Sequence, residues 1–150
     1  MRLGDRLFHL FFVLRRPMTL GTRVAAFDAE GRVFLVRHTY IAGWHLPGGG
    51  VDPGETCEAS ARRELAEEGN IDCPEGLRLV SLHFNRRASR RDHVVFYRAD
   101  GVRQTAPRRA DGEIAECGFF PLSDLPEGVT AATRARLCEL AGTAPSAPHW

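Results

Sequence analysis

Apolar residues recur at helical spacing close to the start of the chain. They fall at Leu3, Leu7, Leu10, Phe11 and Leu14, three or four positions apart except for the adjacent Leu10 and Phe11. This spacing predicts an amphipathic helix within residues 1–18, which Pro17 would end. The apolar stripe is expected to dock on the rest of the domain or on a second copy of the chain, giving a homodimer, with binding to a membrane surface as the alternative. The run is too short to span a bilayer, so no transmembrane segment is expected.

β-Branched and apolar runs predict strands in the rest of the chain. They cover residues 19–28, 32–40, 77–84, 93–99 and 114–120. The first two are separated by Ala29-Glu30-Gly31, a turn sequence that predicts a β-hairpin. Strands and helices do not alternate strictly, which favours an α/β layered fold with a mixed sheet over a doubly wound parallel sheet.

A long loop and two helices complete the pattern. Residues 43–54 are rich in glycine and proline, which predicts a shaped loop. Thr56 is the predicted N-cap of a helix that ends near Gly69 and Asn70, and a second helix is predicted over residues 130–140. Residues 19–142 are therefore expected to form one domain, and residues 143–150 a flexible tail.

Composition and charge narrow the class of protein. The 150 residues are 43% hydrophobic and 26% charged, which is ordinary for one globular domain. The formal net charge of +1 argues against nucleic acid as a partner. The four cysteines lack the paired spacing of a zinc site and are expected to be reduced thiols, which favours a cytoplasmic protein.

Three carboxylates cluster on the helix that follows the loop. Glu64, Glu67 and Glu68 occupy positions i, i+3 and i+4, which places them on one helix face. Like charges at this spacing oppose helix formation by about 0.2–0.5 kcal/mol per pair, so a bound cation is the simplest explanation. Oxygen ligands suit Mg²⁺ or Mn²⁺, and Mg²⁺ in proteins usually also binds substrate phosphate. The cluster therefore predicts phosphate chemistry.

The spacing around this cluster resembles a known signature. Gly49 is followed after five residues by Glu55, after seven more by Arg63-Glu64-Leu65-Ala66-Glu67-Glu68, and two residues later by Ile71. This resembles the Nudix box of the Nudix hydrolase superfamily, with Asn70 in place of the usual glycine. The resemblance implies an α/β/α sandwich with a mixed β-sheet. It also implies a metal-dependent hydrolase that cleaves a pyrophosphate bond in a nucleoside diphosphate linked to another moiety, such as a nucleoside triphosphate or a nucleotide sugar.

The same resemblance assigns the metal ligands and the candidate bases. Glu64, Glu67 and Glu68 would bind Mg²⁺ or Mn²⁺, together with the carbonyl group of Gly49. The general base is left open between Glu64, within the box, and a later glutamate, for which Glu113 is favoured over Glu116. Histidines show no ligand-pair spacing, and none is assigned to the site.

The remaining candidate residues would position the site or contact the substrate. Arg63 would pair with Glu55 and so hold the loop against the helix. Gly48 would let metal and phosphate approach the backbone, because it has no Cβ atom. Trp44 could stack on a nucleobase or pack at the rim of the core. Arg86 could meet substrate phosphate, although a solvated hairpin tip is the simpler interpretation.

Two other interpretations remain open from the sequence alone. The box could be an acidic amphipathic helix after a glycine-rich turn, with no ligand. The domain could also be a Nudix-fold nucleotide-binding or regulatory domain without hydrolysis, but such domains are expected to have lost box carboxylates, and all are present here. The substrate itself is not determined by these residues.

Overall fold

The computed structural model describes residues 3–150, apart from the side chains of Leu3 and Arg6. It contains three helices and eight strands within that range. The helices are α1 (Leu3–Arg15), α2 (Cys57–Gly69) and α3 (Ala131–Leu140). The strands are β1 (Thr19–Ala26), β2 (Val33–His38), β3 (Trp44–His45), β4 (Ile71–Asp72), β5 (Arg78–Phe84), β6 (Asp92–Ala99), β7 (Arg103–Gln104) and β8 (Ile114–Phe120).

The strands form a mixed arrangement, as predicted. In one sheet β1 pairs in parallel with β6, which pairs antiparallel with β5. In a second sheet β2 lies between β3 and β8, antiparallel to both. The short strands β4 and β7 form a third, two-stranded sheet. This is the α/β class that the sequence predicts.

The predicted hairpin of the first two strands is wrong in its pairing. The turn is present, since Asp28 accepts a hydrogen bond from the backbone N–H of Gly31, but beyond the single bridge of Phe27 and Val33 the two strands separate into different sheets. Both strands carry buried side chains on both faces. Each strand therefore needs neighbours and cover on two sides, which an isolated hairpin does not provide.

Two apolar clusters fill the space between the sheets and two of the helices. One joins α2 to the strands and includes Val24, Phe34, Leu65 and Tyr97. The other joins α3 to the opposite faces of the strands and includes Ala25, Leu35, Trp44, Phe96 and Leu137. The strands are thus covered on one side by α2 and on the other by α3.

The N-terminal helix does not pack on this domain. Its described apolar side chains are 50–74% exposed from Leu7 to Leu14, apart from Phe12, which contacts Phe8 and Phe11 of the same helix. The expectation that the stripe docks on the domain is therefore wrong, because α2 and α3 already cover the two clusters. Within the described residues, no helix has the length and apolar character needed to cross a membrane.

The last residues of the chain are seated on the domain, where the sequence predicts a flexible tail. The backbone N–H of Trp150 donates to Phe84 O at 3.1 Å, and that of Phe84 donates to Pro148 O at 2.9 Å. The Trp150 ring also contacts Phe96. The segment thus extends the edge of β5, where it satisfies backbone groups that would otherwise face solvent.

Candidate active site

Helix α2 carries the acidic residues and is fixed at both ends. The Thr56 hydroxyl accepts a hydrogen bond from the Ala59 N–H at 3.1 Å, which is the N-cap predicted from the sequence. Asn70 ends the helix in the left-handed conformation with φ 53°, and its N–H donates to Ala66 O. Asparagine tolerates this conformation better than other non-glycine residues, so the departure from glycine keeps the cap.

The glycine-rich loop packs directly against β1 on one side and α2 on the other. A Cβ atom on Gly48, whose φ is 142°, would lie 2.0 Å from Thr22 O, and one on Gly49 would lie 2.4 Å from Glu64 Oε1. The Gly48 N–H donates to Glu68 Oε2 at 2.8 Å. The Gly49 carbonyl accepts from the Thr22 N–H at 2.8 Å, which engages one lone pair of the proposed metal ligand. The backbone therefore requires glycine at position 48, whereas a side chain at position 49 would displace the Glu64 carboxylate.

Arg63 ties the loop to the helix. Its Nε and Nη2 atoms donate to the two oxygens of Glu55, each at 3.0 Å, and Nη2 also donates to Gly50 O at 3.1 Å. Its Nη1 atom donates to Glu64 Oε1 at 2.7 Å and to Glu67 Oε2 at 3.3 Å. The Arg63 guanidinium lowers the pKa of Glu55. The resemblance implies that Arg63 pairs with Glu55, and in the structure the two residues form a bidentate pair.

The three carboxylates of the box stand in different environments. Glu68 is 3% exposed, and burial raises its pKa to about 8. Burial also raises the pKa of the half-buried Glu64, against the opposing effect of Arg63. The Glu67 side chain is 60% exposed. The carboxyl group of Glu68 is thus the one most in need of a compensating positive charge.

The structure brings Glu68 together with residues from outside the helix. Among the described residues, the group whose ligand atoms could share one cation is His38, Glu68 and Glu113, with these atoms within 4.8 Å of one another. Glu64 and Glu67 do not join such a group in the part of the chain that is described. The sequence thus indicates Glu113 as a candidate for this site but does not indicate His38.

His38 reaches the site through an irregularity in β2. The register of β2 and β8 shifts between Arg37 and His38, which is characteristic of a β-bulge and re-aims the side chain. The imidazole is 6% exposed, and burial lowers its pKa to about 4. Its Nε2 atom lies 3.4 Å from Glu68 Oε1, and its Nδ1 atom is buried without a hydrogen-bond partner among the described residues. Neither spacing nor composition signals this placement.

Glu113 is held in place by its loop. The Thr39 N–H donates to Glu113 O at 2.9 Å, and the Asp111 carboxylate accepts from the Glu113 N–H at 2.8 Å. Arg108, which pairs with Asp111, also donates to the carbonyl of Glu67 at 2.9 Å. This arrangement connects the loop to the last turn of α2.

Two predicted substrate contacts lie elsewhere. Trp44 is 7% exposed and packs edge-on against Phe120, so its ring belongs to the core and is not available to a nucleobase. Arg86 lines an open surface cavity of about 540 Å³ with Phe84, Arg90 and His149, away from the carboxylates of α2. Trp44 is buried because β3 lies in an apolar environment. Arg86 lies away from the site because it is at a hairpin tip.

A separate cavity adjoins the glycine-rich loop. It measures about 320 Å³ and is bounded by Gly49 and Gly50 on one side. Arg23, Asn85 and Trp150 line the rest, among other residues. Arg23 donates to Leu46 O at 2.9 Å and contributes to lowering the pKa of Glu68. The cavity therefore borders the carboxylate site and is lined by the guanidinium group of Arg23.

Comparison with known sequences agrees with this geometry. The family model of the NUDIX domain matches residues 17–140. An RNA pyrophosphohydrolase of Gluconobacter oxydans is 43% identical over 58 residues, which make up 35% of this chain and 34% of that protein. The 8-oxo-dGDP phosphatase NUDT18 of Homo sapiens is 33% identical over 99 residues, which make up 65% of this chain and 30% of that protein. The chain spans about a third of the length of these relatives.

Solved structures share the fold. A MutT NUDIX hydrolase from Burkholderia pseudomallei has a TM-score of 0.66 and 30% identity, covering 79% of this chain and 95% of that one. An ADP-ribose pyrophosphatase from Streptococcus suis has a TM-score of 0.61 and 26% identity, covering 85% and 94% of the two chains. The family model matches most of the chain, and the Arg63–Glu55 pair and the glycine contacts agree with that match. This chain therefore belongs to the NUDIX domain family.

Proposed function

We propose that the protein hydrolyses a pyrophosphate bond in a nucleoside diphosphate linked to another moiety. The observation that carries the proposal is the seating of the α2 carboxylates against the glycine-rich loop. Glu68 accepts the Gly48 N–H at 2.8 Å, and Glu64 lies where a side chain on Gly49 would stand. The relatives named as pyrophosphohydrolase and phosphatase support this class of reaction.

A divalent cation, Mg²⁺ or Mn²⁺, fits the residues present. Glu68 is buried with its pKa raised, and a cation would favour its ionised form. Glu68 would hold one cation, and Glu64 and Glu67 would bind the same ion or a neighbouring one, as the family resemblance implies. When bound, such an ion neutralises a diphosphate and acidifies a coordinated water.

The protein's own groups position the reaction. Arg63 holds Glu64 by a 2.7 Å hydrogen bond and links it to Glu55, so that the carboxylate is fixed beside the loop. Glu64 would accept the proton of the attacking water, since its carboxylate is held beside the glycine-rich loop by Arg63. Glu113 would act on the other side of Glu68, as a ligand.

The cavity beside Gly49 is the site we propose for the nucleoside part of the substrate. Its volume of about 320 Å³ lies at the lower end of small-ligand pockets. Arg23 would pair with a phosphate group, Asn85 would hydrogen-bond, and the Trp150 indole would contact an apolar face. Trp44 and Arg86 are not part of this proposal.

Turnover of a substrate panel tests the proposal. The panel holds nucleoside triphosphates, nucleotide sugars, ADP-ribose, dinucleotides, 5′-triphosphate RNA and 8-oxo-dGDP, with phosphate release measured in Mg²⁺ and in Mn²⁺. Glu68→Gln is expected to lower kcat/KM by about a hundredfold or more. Glu58→Gln is the matched control, because Glu58 lies on the same helix but pairs with Arg62 at the surface. Nucleotide binding without turnover of any compound would favour the non-catalytic alternative.

We also propose a cytoplasmic homodimer. The four cysteines are all free thiols, which fits a reducing compartment. The apolar stripe of α1 would be buried by a second copy of the chain, since the described part of the domain leaves it exposed. Light scattering of the protein and of Phe8→Glu tests this: the substitution should convert a dimer to a monomer. Monomeric wild type that binds lipid vesicles would instead favour a membrane-surface role.

A further inference from the structure

The cation site contains one nitrogen donor that the box does not supply. His38 is 6% exposed and its Nε2 atom lies 3.4 Å from Glu68 Oε1. The Nδ1 atom is also buried and has no hydrogen-bond partner among the described residues. A neutral imidazole has one nitrogen lone pair, so with the ring proton on Nδ1 the lone pair of Nε2 faces the buried Glu68 carboxylate and can bind a cation.

The distances suit a single ion. Ligand atoms of one histidine and two carboxylates, His38, Glu68 and Glu113, lie within 4.8 Å of one another. Atoms that are each about 2.0–2.2 Å from a shared ion lie at most about 4.4 Å apart. Closing the difference takes a shift of a few tenths of an ångström, which rotation of the exposed Glu113 side chain can provide.

The three residues come from three different elements. His38 ends β2 at a bulge, Glu68 lies in the last turn of α2, and Glu113 immediately precedes β8. The backbone holds the first and last together, since the Thr39 N–H donates to Glu113 O at 2.9 Å. The donor set is thus built by the fold and does not depend on one acidic stretch of helix.

Donor chemistry determines which ions this set selects. Carboxylate oxygens alone suit Mg²⁺, whereas an imidazole nitrogen favours first-row transition ions. We propose that His38 is a direct ligand of the cation, and that His38, Glu68 and Glu113 form a mixed nitrogen and oxygen site that prefers transition ions such as Mn²⁺ to Mg²⁺. This inference rests on the proposed function only in that Glu68 is taken to hold the cation.

The test detects the bond itself rather than turnover. Mn²⁺ is added below stoichiometry to the full-length protein, and electron spin-echo modulation is recorded for coupling to ¹⁴N. A directly bound imidazole is expected to give this modulation, and labelling the protein with [¹⁵N]histidine should remove it. His38→Gln should also remove the modulation. His45→Gln is the control and should retain it: the centres of the His45 and His38 rings are 5.8 Å apart, but the Nε2 atom of His45 contacts Ala42 O.

Competition with Mg²⁺ gives the second readout. The ratio of Mg²⁺ to Mn²⁺ dissociation constants is expected to fall at least about tenfold in His38→Gln, since an amide oxygen replaces the nitrogen. Urea unfolding confirms that each variant is folded. Absence of ¹⁴N modulation in the wild type, or an unchanged ratio in folded His38→Gln, would overturn the inference. Failure of Mn²⁺ to bind, or equal binding by Glu68→Gln, would instead refute the cation site of the proposed function.

Discussion

At the scale of single residues, Glu68 combines burial with a charge that its surroundings only partly compensate. Its Oε2 atom accepts the Gly48 N–H, and its neighbours Glu64 and Glu113 raise its pKa further after burial has done so. With a pKa raised to about 8, this carboxyl group would be mostly protonated at pH 7 when no cation is bound. Its ionisation is thus coupled to cation binding and to stability.

This coupling predicts how stability depends on pH. The folded-state pKa of Glu68 is raised to about 8, so between pH 6.5 and 8 the folded chain holds a proton that the unfolded chain has released. Stability in EDTA should therefore fall as pH rises, by about 2 kcal/mol across this window. The lowered pKa values of His38, His45 and His83 act in the opposite sense, mainly below about pH 7, and offset part of this fall. Urea unfolding at several pH values measures this, and in Glu68→Gln stability should no longer fall between pH 6.5 and 8.

Gly49 gives a second prediction at this scale. A methyl group there would lie 2.4 Å from Glu64 Oε1, whereas one on Gly50 would meet nothing within 4 Å. Gly49→Ala should therefore displace the Glu64 carboxylate and lower kcat by about a hundredfold, while a flexible side-chain end absorbs the clash and the fold persists. Gly50→Ala is the matched control. Steady-state kinetics beside thermal unfolding tests this, and equal activity of the two variants would contradict it.

Among the elements, the loop between β7 and β8 depends on the cap of α2. The Asn70 amide donates to Ala106 O at 3.3 Å and Pro107 O at 3.4 Å, and Asn70 O accepts from the Thr105 N–H at 2.8 Å. The residue that departs from the family pattern thus holds the loop that carries Glu113. A glycine could form the same cap but could not make the two amide contacts.

Substitution of Asn70 separates its two roles, the cap of α2 and the contacts of its side-chain amide with the loop. Asn70→Gly should retain the left-handed cap and release the loop, so amide hydrogen exchange should rise in residues 105–113 with little loss of global stability. Asn70→Ala should lose the amide contacts and also strain the backbone at φ 53°, costing about 1–2 kcal/mol in addition. Hydrogen exchange and urea unfolding of both variants make the comparison. Unchanged exchange in Asn70→Gly would show that the amide does not hold the loop.

The sequence predicts elements more reliably than it predicts their partners. The Thr56 cap and the end of α2 at Gly69 follow from local chemistry, and the Arg63–Glu55 pair follows from the family resemblance; all three are present. The pairing of β1 with β6 is not predictable in this way, because it depends on contacts between distant segments. The position of His38 is not predictable for the same reason, since its approach to Glu68 requires both the bulge in β2 and the pairing of β2 with β8.

At the scale of the whole molecule, the C-terminal residues close the face of the domain that α3 covers. Arg136 of α3 is 2% exposed, and its Nη1 atom donates to His149 O at 2.9 Å and lies 3.0 Å from Nδ1 of His83. Its Nη2 atom donates to Glu139 at 2.6 Å, and its guanidinium lies 5.3 Å from the centre of the Trp150 ring. Residues 147–150 therefore join α3 to β5 through the buried guanidinium group of Arg136.

Removal of residues 147–150 should destabilise the whole domain. It would deprive Arg136 of a carbonyl acceptor and a ring, and it would expose the edge of β5 at Phe84, at a total cost of about 3 kcal/mol or more. His149→Ala is the control, because it retains the carbonyl group that Arg136 contacts and should cost less than about 1 kcal/mol. Urea unfolding of both variants measures the difference. Because Trp150 also lines the cavity beside Gly49, the truncated protein should in addition show a raised KM, and equal stability of the truncated and full chains would contradict a structural role for the segment.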